Sequence, residues 1–249
     1  MSDETRPVAG DARTAAVIPA AGRGVRLGPG APKALRALGG TPMLIHAVRA
    51  MAASRAVSVV VVVAPPDGAA EVKSLLADHT LPESTDFLVV PGGESRQESV
   101  RLGLDALPGG IDIVLVHDAA RPLVPVDTVD AVIEAVRDGA PAVVPALPLA
   151  DTVKEVVPST DGSPEPVVAT PARARLRAVQ TPQGFDHATL VRAHETVTDA
   201  VTDDAGMVEK LGLQVVLVPG HEEAFKVTRP LDLVLAETVL ARRRANDGF

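Results

Sequence analysis

Between Ala12 and Pro66 the chain carries seven bases (Arg13, Arg23, Arg26, Lys33, Arg36, Arg49 and Arg55) and no acid. Its 32 acids, spread evenly over 249 residues, would put about seven there. A chain of net charge −8 thus keeps its first stretch cationic, the pattern expected of a site for a polyanion. The loop Pro19-Ala20-Ala21-Gly22-Arg23-Gly24-Val25-Arg26-Leu27-Gly28-Pro29-Gly30-Ala31-Pro32-Lys33 sharpens this. Small residues let backbone N–H groups come close to phosphate. Arg26 and Lys33 are spaced to neutralise a triphosphate lying in such a loop. The commoner glycine loops do not fit. The third glycine comes one place late for a dinucleotide fingerprint, and no acid follows before Asp67 to hold a ribose. A Walker loop needs Gly before its Lys and Ser or Thr after it, whereas Lys33 stands between Pro32 and Ala34.

Further along, an apolar run ends in His117-Asp118-Ala119-Ala120-Arg121-Pro122. An acid and an arginine beyond the carboxyl end of a strand suit a metal, a hydroxyl or a phosphate. They equally suit a local pair that shapes the turn, and His117 reads as a hydrogen-bonded turn residue rather than a base. Arg173, Arg175 and Arg177 alternate with Ala174, Leu176 and Ala178, which on a strand puts three guanidinium groups on one face. That face either captures an anion or protects an exposed edge. Thr202-Asp203-Asp204 suits a helix N-cap. Lys226, within Phe225-Lys226-Val227-Thr228, is expected on a strand, facing either a ligand or solvent.

The elements that must position these residues alternate. Ala15–Pro19, Val57–Ala64, Phe87–Val90, Ile111–Val116 and Ala142–Val144 are short apolar runs, as for strands covered on both faces. Helical patterns fall between them: one after Thr41-Pro42, then around Asp67–Asp78, Glu94–Leu107 and Asp127–Arg137. The expected fold is α/β, a doubly wound and mostly parallel sheet in a three-layer, Rossmann-like sandwich. The alternation breaks over 148–180, rich in proline and holding the turn Asp161-Gly162, which reads as an extended β-hairpin arm. Then come a helix near 186–198, a short helix opened by Thr202, strands at Gln214–Val218 and Phe225–Thr228, and a closing helix from Pro230. Residues 1–13 read as a disordered tail and 14–249 as a single domain, within the range that 249 residues allow.

Composition excludes several classes. There is no Cys, so no disulfide, thiolate metal site or cysteine nucleophile. Trp and Tyr are absent and Phe numbers 4, which leaves no stacking platform for nucleic acid. The negative charge also disfavours a nucleic-acid partner. No apolar run approaches the roughly 20 residues that span a bilayer, and the first 13 residues do not read as a signal peptide. A cytoplasmic protein without membrane partners is expected.

Taken in order, PAAGRGVRL…PK, GGESRQESV, VLVHDAARP, ADTVKE, AVQTPQGF, TDDAGMVE and FKVTRPLDLVLAE resemble the 2-C-methyl-D-erythritol 4-phosphate cytidylyltransferase family, from Thr14 to Leu240. The resemblance implies transfer of a cytidylyl group from CTP to 2-C-methyl-D-erythritol 4-phosphate, with release of diphosphate, in isoprenoid biosynthesis. It implies that Pro19, Ala20, Ala21 and Gly22 cradle CTP, and that Gly93, Glu94 and Ser99 read or flank the cytosine. Arg26 and Lys33 would hold the triphosphate. Asp118 and Arg121 would sit at the junction with the sugar phosphate, which Thr181 and Thr202 contact. Lys226 would position that phosphate. Thr152 and Arg173 would reach a partner's site on the arm of a homodimer. The catalytic set is then Arg26, Lys33, Lys226 and Arg173. Mg²⁺ is the implied cofactor, held mainly by the CTP phosphates with Asp118 as its protein ligand. Two positions depart from the family pattern, Ala34 for a common Gln and Glu94 for a common Asp, and the cations remain. The alternatives are the same chemistry on ribitol 5-phosphate, or a non-catalytic nucleotide-binding module.

Overall fold

The computed structural model describes residues 12–22, 32–199 and 201–246. In chain order the strands and helices begin with β1 (Thr14–Pro19), a two-residue hairpin of β2 (Ala37–Leu38) and β3 (Thr41–Pro42), α1 (Met43–Ala52), β4 (Val57–Ala64) and α2 (Ala69–Ala77). There follow β5 (Asp86–Pro91), α3 (Arg96–Asp105), β6 (Ile113–Val116), α4 (Val126–Arg137) and β7 (Ala142–Pro148). The arm holds β8 (Glu155–Val156) and β9 (Val167–Ala169). The chain then runs through β10 (Arg177–Val179), β11 (Gln183–Asp186), α5 (His187–Thr196), α6 (Asp204–Lys210), β12 (Val215–Pro219) and α7 (Pro230–Asn246).

Valine makes the sheet. Val57–Ala64 holds six valines, whose branched Cβ atoms favour the extended chain. Its side chains alternate between two apolar layers, Val60, Val62 and Ala64 in one and Val59, Val61 and Val63 in the other. β1 splits the same way, with Ala16 and Ile18 against Ala15 and Val17. Helices α1, α2 and α4 close the first layer through Leu44, Val48, Val72 and Val132, among others. Helices α3, α5 and α6 close the second through Val100, Leu190 and Met207. Burial on both faces is worth about 1.5–3 kcal/mol for each such valine or leucine, so no polar residue is tolerated along the middle of β4. The three-layer α/β sandwich is thus the expected one.

The sheet runs β5-β4-β1-β6-β11-β7, with β12 and β10 also paired to β7. β1 pairs in parallel with both β4 and β6, and β4 with β5, while β12 lies parallel to β7. β11 is antiparallel to both its neighbours, and β10 is antiparallel to β7. Parallel pairing puts the carboxyl ends of β1, β4, β5 and β6 at one edge of the sheet, where open α/β folds bind ligands.

Two local expectations give way. Phe225–Thr228 is not a strand; it is an extended loop after a 3-10 turn at Glu222–Ala224. Its alternation comes from one anchor: Val227 is fully buried with Leu38, Met43, Leu123 and Ala236, and its N–H donates to the Ala120 carbonyl at 2.8 Å. Arg173–Arg175 is a 3-10 turn rather than a strand, so the three arginines do not share a face. The Arg173 guanidinium turns back to the Ala150 carbonyl, and Arg177 bonds the carbonyls of Ala174 and Leu176. The arm itself leaves the sheet after β7, carries the antiparallel β8–β9 pair, and returns through β10. The tail lies outside the described residues up to position 11.

Candidate active site

Three strand ends and one distant loop make a cleft of about 310 Å³. Pro19, Ala20, Ala21 and Gly22 leave β1 along one wall, held by the Ala20 N–H on the Val63 carbonyl at 2.8 Å. Lys33 and Ala34, in the 3-10 turn Lys33–Leu35, close that side. Gly93 to Arg96 follow β5 on the opposite wall, with Ser99 behind them. Asp118, Ala119 and Ala120 form the floor after β6, and Lys226 reaches in from the loop before α7.

Each wall is set by its own hydrogen bonds. The Gly92 N–H donates to the Ala64 carbonyl at 2.8 Å, fastening the Gly-Gly loop to the end of β4. Ser95 caps α3, its hydroxyl accepting from the Glu98 N–H at 3.0 Å, while the Glu98 carboxylate accepts from the Glu94 N–H at 2.8 Å. This reciprocal cap fixes the entry to the helix. The Ser99 hydroxyl donates to the Ser95 carbonyl and accepts from the Gly93 N–H at 3.2 Å. A Cβ at 93 would lie 2.2 Å from Glu98 Cδ, so any larger residue there must displace the Glu98 carboxylate from its place in the cap.

The floor hangs on a buried chain of donors. The Arg121 carbonyl can only accept, so His117 Nε2 donates to it at 3.1 Å. The Thr181 hydroxyl then donates to His117 Nδ1 at 3.0 Å, and Thr181 Oγ1 accepts from the Asp118 N–H at 3.0 Å. Burial pushes the imidazole down to about 4, so the ring is neutral at pH 7 and works as a linker. The Arg121 guanidinium donates to the carbonyls of Ala224 and Val179, tying the floor to the Lys226 loop and to β10.

The charges meet at Asp118. Lys226 Nζ lies 2.6 Å from Oδ2, and Arg96 Nε lies 3.8 Å from Oδ1. Burial alone would raise the Asp118 carboxyl; Lys226 and then Arg96 outweigh it and hold the group below the usual carboxylate range. Arg96 in turn bonds Asp204, with NH1 2.7 Å from Oδ2, and His194 Nε2 donates to Asp204 Oδ1 at 3.1 Å. Asp204 is 1% exposed. Burial would raise it as well, but the His194 hydrogen bond and Arg96 keep it ionised. Burial works against the charge on Arg96, and Asp204 and Asp118 more than restore it.

Of the residues singled out from sequence, the cleft brings together Pro19, Ala20, Ala21, Gly22, Lys33, Gly93, Glu94, Ser99, Asp118 and Lys226. Arg26 lies outside the described residues. Thr181 backs the floor, its hydroxyl taken up by His117 and Asp118, and Arg121 serves as a strap; neither lines the cleft. Thr152 and Arg173 are exposed on the arm and do not line this chain's own cleft. Thr202 is exposed one residue before the cap of α6, which is Asp203. The residue that sequence reasoning passed over is Arg96. Its signal was the Ser-x-x-Glu cap of 95 to 98, which places an arginine on the first turn facing the cleft. Among the described residues no group of three or more His, Cys, Asp or Glu side chains could cage a metal. Asp118 is the carboxylate on the floor, but Lys226 and Arg96 already face its two oxygens, so a magnesium ion would be held mainly by substrate phosphates.

Known proteins carry similar sequences. The model of the family IspD, 2-C-methyl-D-erythritol 4-phosphate cytidylyltransferase, matches residues 14–242. The protein of that name from Streptomyces avermitilis is 86% identical over 250 residues, covering all of both chains. Its counterpart from Streptomyces coelicolor is 87% identical over 239 residues, 96% of this chain and 88% of its own. Among solved structures, the 4-diphosphocytidyl-2C-methyl-D-erythritol synthase of Anaerococcus prevotii superposes with a TM-score of 0.78 at 27% identity, covering 93% of this chain and 97% of its own. The 2-C-methyl-D-erythritol 4-phosphate cytidylyltransferase of Thermus thermophilus gives a TM-score of 0.69 at 34% identity, covering 90% and 98%. With this identity over nearly the whole length, the chain belongs to the 2-C-methyl-D-erythritol 4-phosphate cytidylyltransferase family.

Proposed function

We infer that the cleft joins CTP and 2-C-methyl-D-erythritol 4-phosphate into 4-diphosphocytidyl-2-C-methyl-D-erythritol, releasing diphosphate. The observation that carries the site assignment is the Asp118–Lys226 pair on the floor, facing Lys33 and flanked by two backbone loops. Cytosine is read by the rigid Gly93-Glu94 segment, and the ribose and phosphates lie along Ala20, Ala21 and Gly22. Lys33, with Arg26, binds the triphosphate. Lys226 holds the acceptor phosphate so that its oxygen attacks the CTP α-phosphorus in line. One P–O bond forms, the bond to the β-phosphate oxygen breaks, and no protein nucleophile takes part. Charge grows on the transferring group and on the leaving diphosphate, so the chain's contribution is positioning plus fixed positive charge. Magnesium bound to the phosphates would supply further neutralisation.

The arm supports a homodimer in which Thr152 and Arg173 serve the partner's cleft. It exposes Val157, Val167 and Val168, and a two-stranded ribbon is marginal alone. A cytoplasmic location fits a chain of which no described helix is long and apolar enough to cross a membrane. The test is diphosphate release from CTP and Mg²⁺, with methylerythritol phosphate and ribitol 5-phosphate as parallel acceptors. Release with methylerythritol phosphate is expected. Preference for ribitol 5-phosphate would overturn the substrate, and silence with both would overturn catalysis.

A further inference from the structure

An acceptor phosphate would compete with Asp118 for the Lys226 ammonium. In this structure its ammonium is committed to Asp118 at 2.6 Å. An acceptor phosphate that takes up this ammonium weakens its hold on Asp118, a carboxylate only 14% exposed that relies on it as its nearest counter-charge. Breaking such a pair without a replacement is costly. The replacement stands beside it. Arg96 Nε is 3.8 Å from the other oxygen of Asp118, beyond hydrogen-bond distance and within one side-chain adjustment of it. Arg96 approaches from the first turn of α3, and its far end is anchored by Asp204, which is anchored by His194. Buried carboxylates need such partners, and Asp204 has two. The guanidinium is therefore held at one end and has Nε to spare at the other. A planar fork of five donors can serve two carboxylates at once, whereas an ammonium cannot do so with fixed geometry.

We infer that Arg96 is a positioning residue for this reaction: it takes over the Asp118 carboxylate when Lys226 turns to the acceptor phosphate, and the buried Asp204–His194 pair fixes it for that exchange. The inference rests on the functional reading above, in which Lys226 holds the acceptor. Its consequence is selective. Without Arg96, Lys226 stays locked to Asp118, so the acceptor must compete for it. CTP, held by the loops and by Lys33, is affected far less.

The experiment measures KM for each substrate and kcat in Arg96→Gln, Arg96→Lys and the double variant Arg96→Gln/Asp204→Asn, beside the unmodified enzyme. Its activity tests the functional reading separately. Arg96→Gln is expected to raise KM for methylerythritol phosphate about tenfold while KM for CTP stays within about twofold, the signature of lost binding to one substrate. Arg96→Lys is expected to regain part of the loss. The double variant removes the buried charge that the single one leaves with His194 alone, so it keeps the comparison available if Arg96→Gln folds poorly, and it must show the same split. Calorimetric titration with methylerythritol phosphate alone is expected to weaken by the same factor. A rise in both KM values together, a rise confined to CTP, or unchanged KM values in a folded variant would each overturn the inference.

Discussion

His117 is neutral by construction, and that makes the fold sensitive to mild acid. The imidazole is completely buried, and burial pushes its pKa from an ordinary 6.5 to about 4. Its partners hold only the neutral form well: Nδ1 must accept from Thr181 while Nε2 donates to the Arg121 carbonyl. Protonation would turn Nδ1 into a donor and strip the Thr181 hydroxyl of its acceptor. Between these two pKa values the unfolded chain binds a proton that the native chain does not, so stability falls as pH falls. It is fully present above 6.5 and has lost its share near 4. The drop of about 2.5 pKa units at about 1.4 kcal/mol each gives about 3 kcal/mol. His46, lowered by burial against its bond to the Leu38 carbonyl, adds in the same sense. The depressed carboxyls Asp118 and Asp204 act below their ordinary 3.8, outside the window. The assay is urea unfolding at steps from pH 8 to 4.5, comparing the chain with His117→Gln. The variant is expected to be less stable at pH 8 and to lack most of the acid-dependent fall, since His46 is common to both. Parallel pH profiles for the two proteins would refute the argument.

Three further outcomes follow from the same geometry. Lys33→Ala is expected to fold normally and to lose on the order of 3 kcal/mol of transition-state stabilisation, a hundredfold or more in turnover, read by diphosphate release. Gly93→Ala would put its Cβ 2.2 Å from Glu98 Cδ, displacing the carboxylate from the Glu94 N–H. KM for CTP is expected to rise about fivefold, one net hydrogen bond of about 1 kcal/mol, with little change in melting temperature. Gly184→Ala would put its Cβ 2.4 Å from Val132 Cγ1, inside the α4–β11 contact. Overpacking of this kind costs about 1–3 kcal/mol, seen as a lower urea midpoint.

Much of this could be read from residue types alone. The valine run gave β4 to the residue, because a strand buried on both faces tolerates little else. The cleft's loops were legible as small residues and cations after strands. What stayed hidden depends on contacts across long separations. Thr181, a substrate contact by the resemblance alone, also bonds His117 and Asp118, 64 and 63 residues away, which its sequence position does not show. Phe225–Thr228 alternates as a strand does, but one buried valine and a single backbone bond are enough to produce that pattern. Arg96 was ordinary in sequence, because its meaning comes from Asp204, 108 residues on. The arginine alternation at 173–177 failed because the chain turns there: the Ala150 carbonyl, 23 residues back, took up the Arg173 guanidinium, and the carbonyls of Ala174 and Leu176 took up that of Arg177.

Among the described residues β11 is the one strand inserted against the direction of both its neighbours, and this bears on how the molecule comes together in time. β1, β4, β5 and β6 come from the first half of the chain and can pair in parallel as they are made. β7 cannot join them directly, because β11 lies between, and β11 exists only after the chain has gone out along the arm and come back. Such long-range closure is the slow step of folding. The Asp118 floor waits on Thr181, just before β11, and Lys226 comes later still. The cleft is therefore finished last, and turnover during refolding should lag behind the recovery of helix and sheet signals.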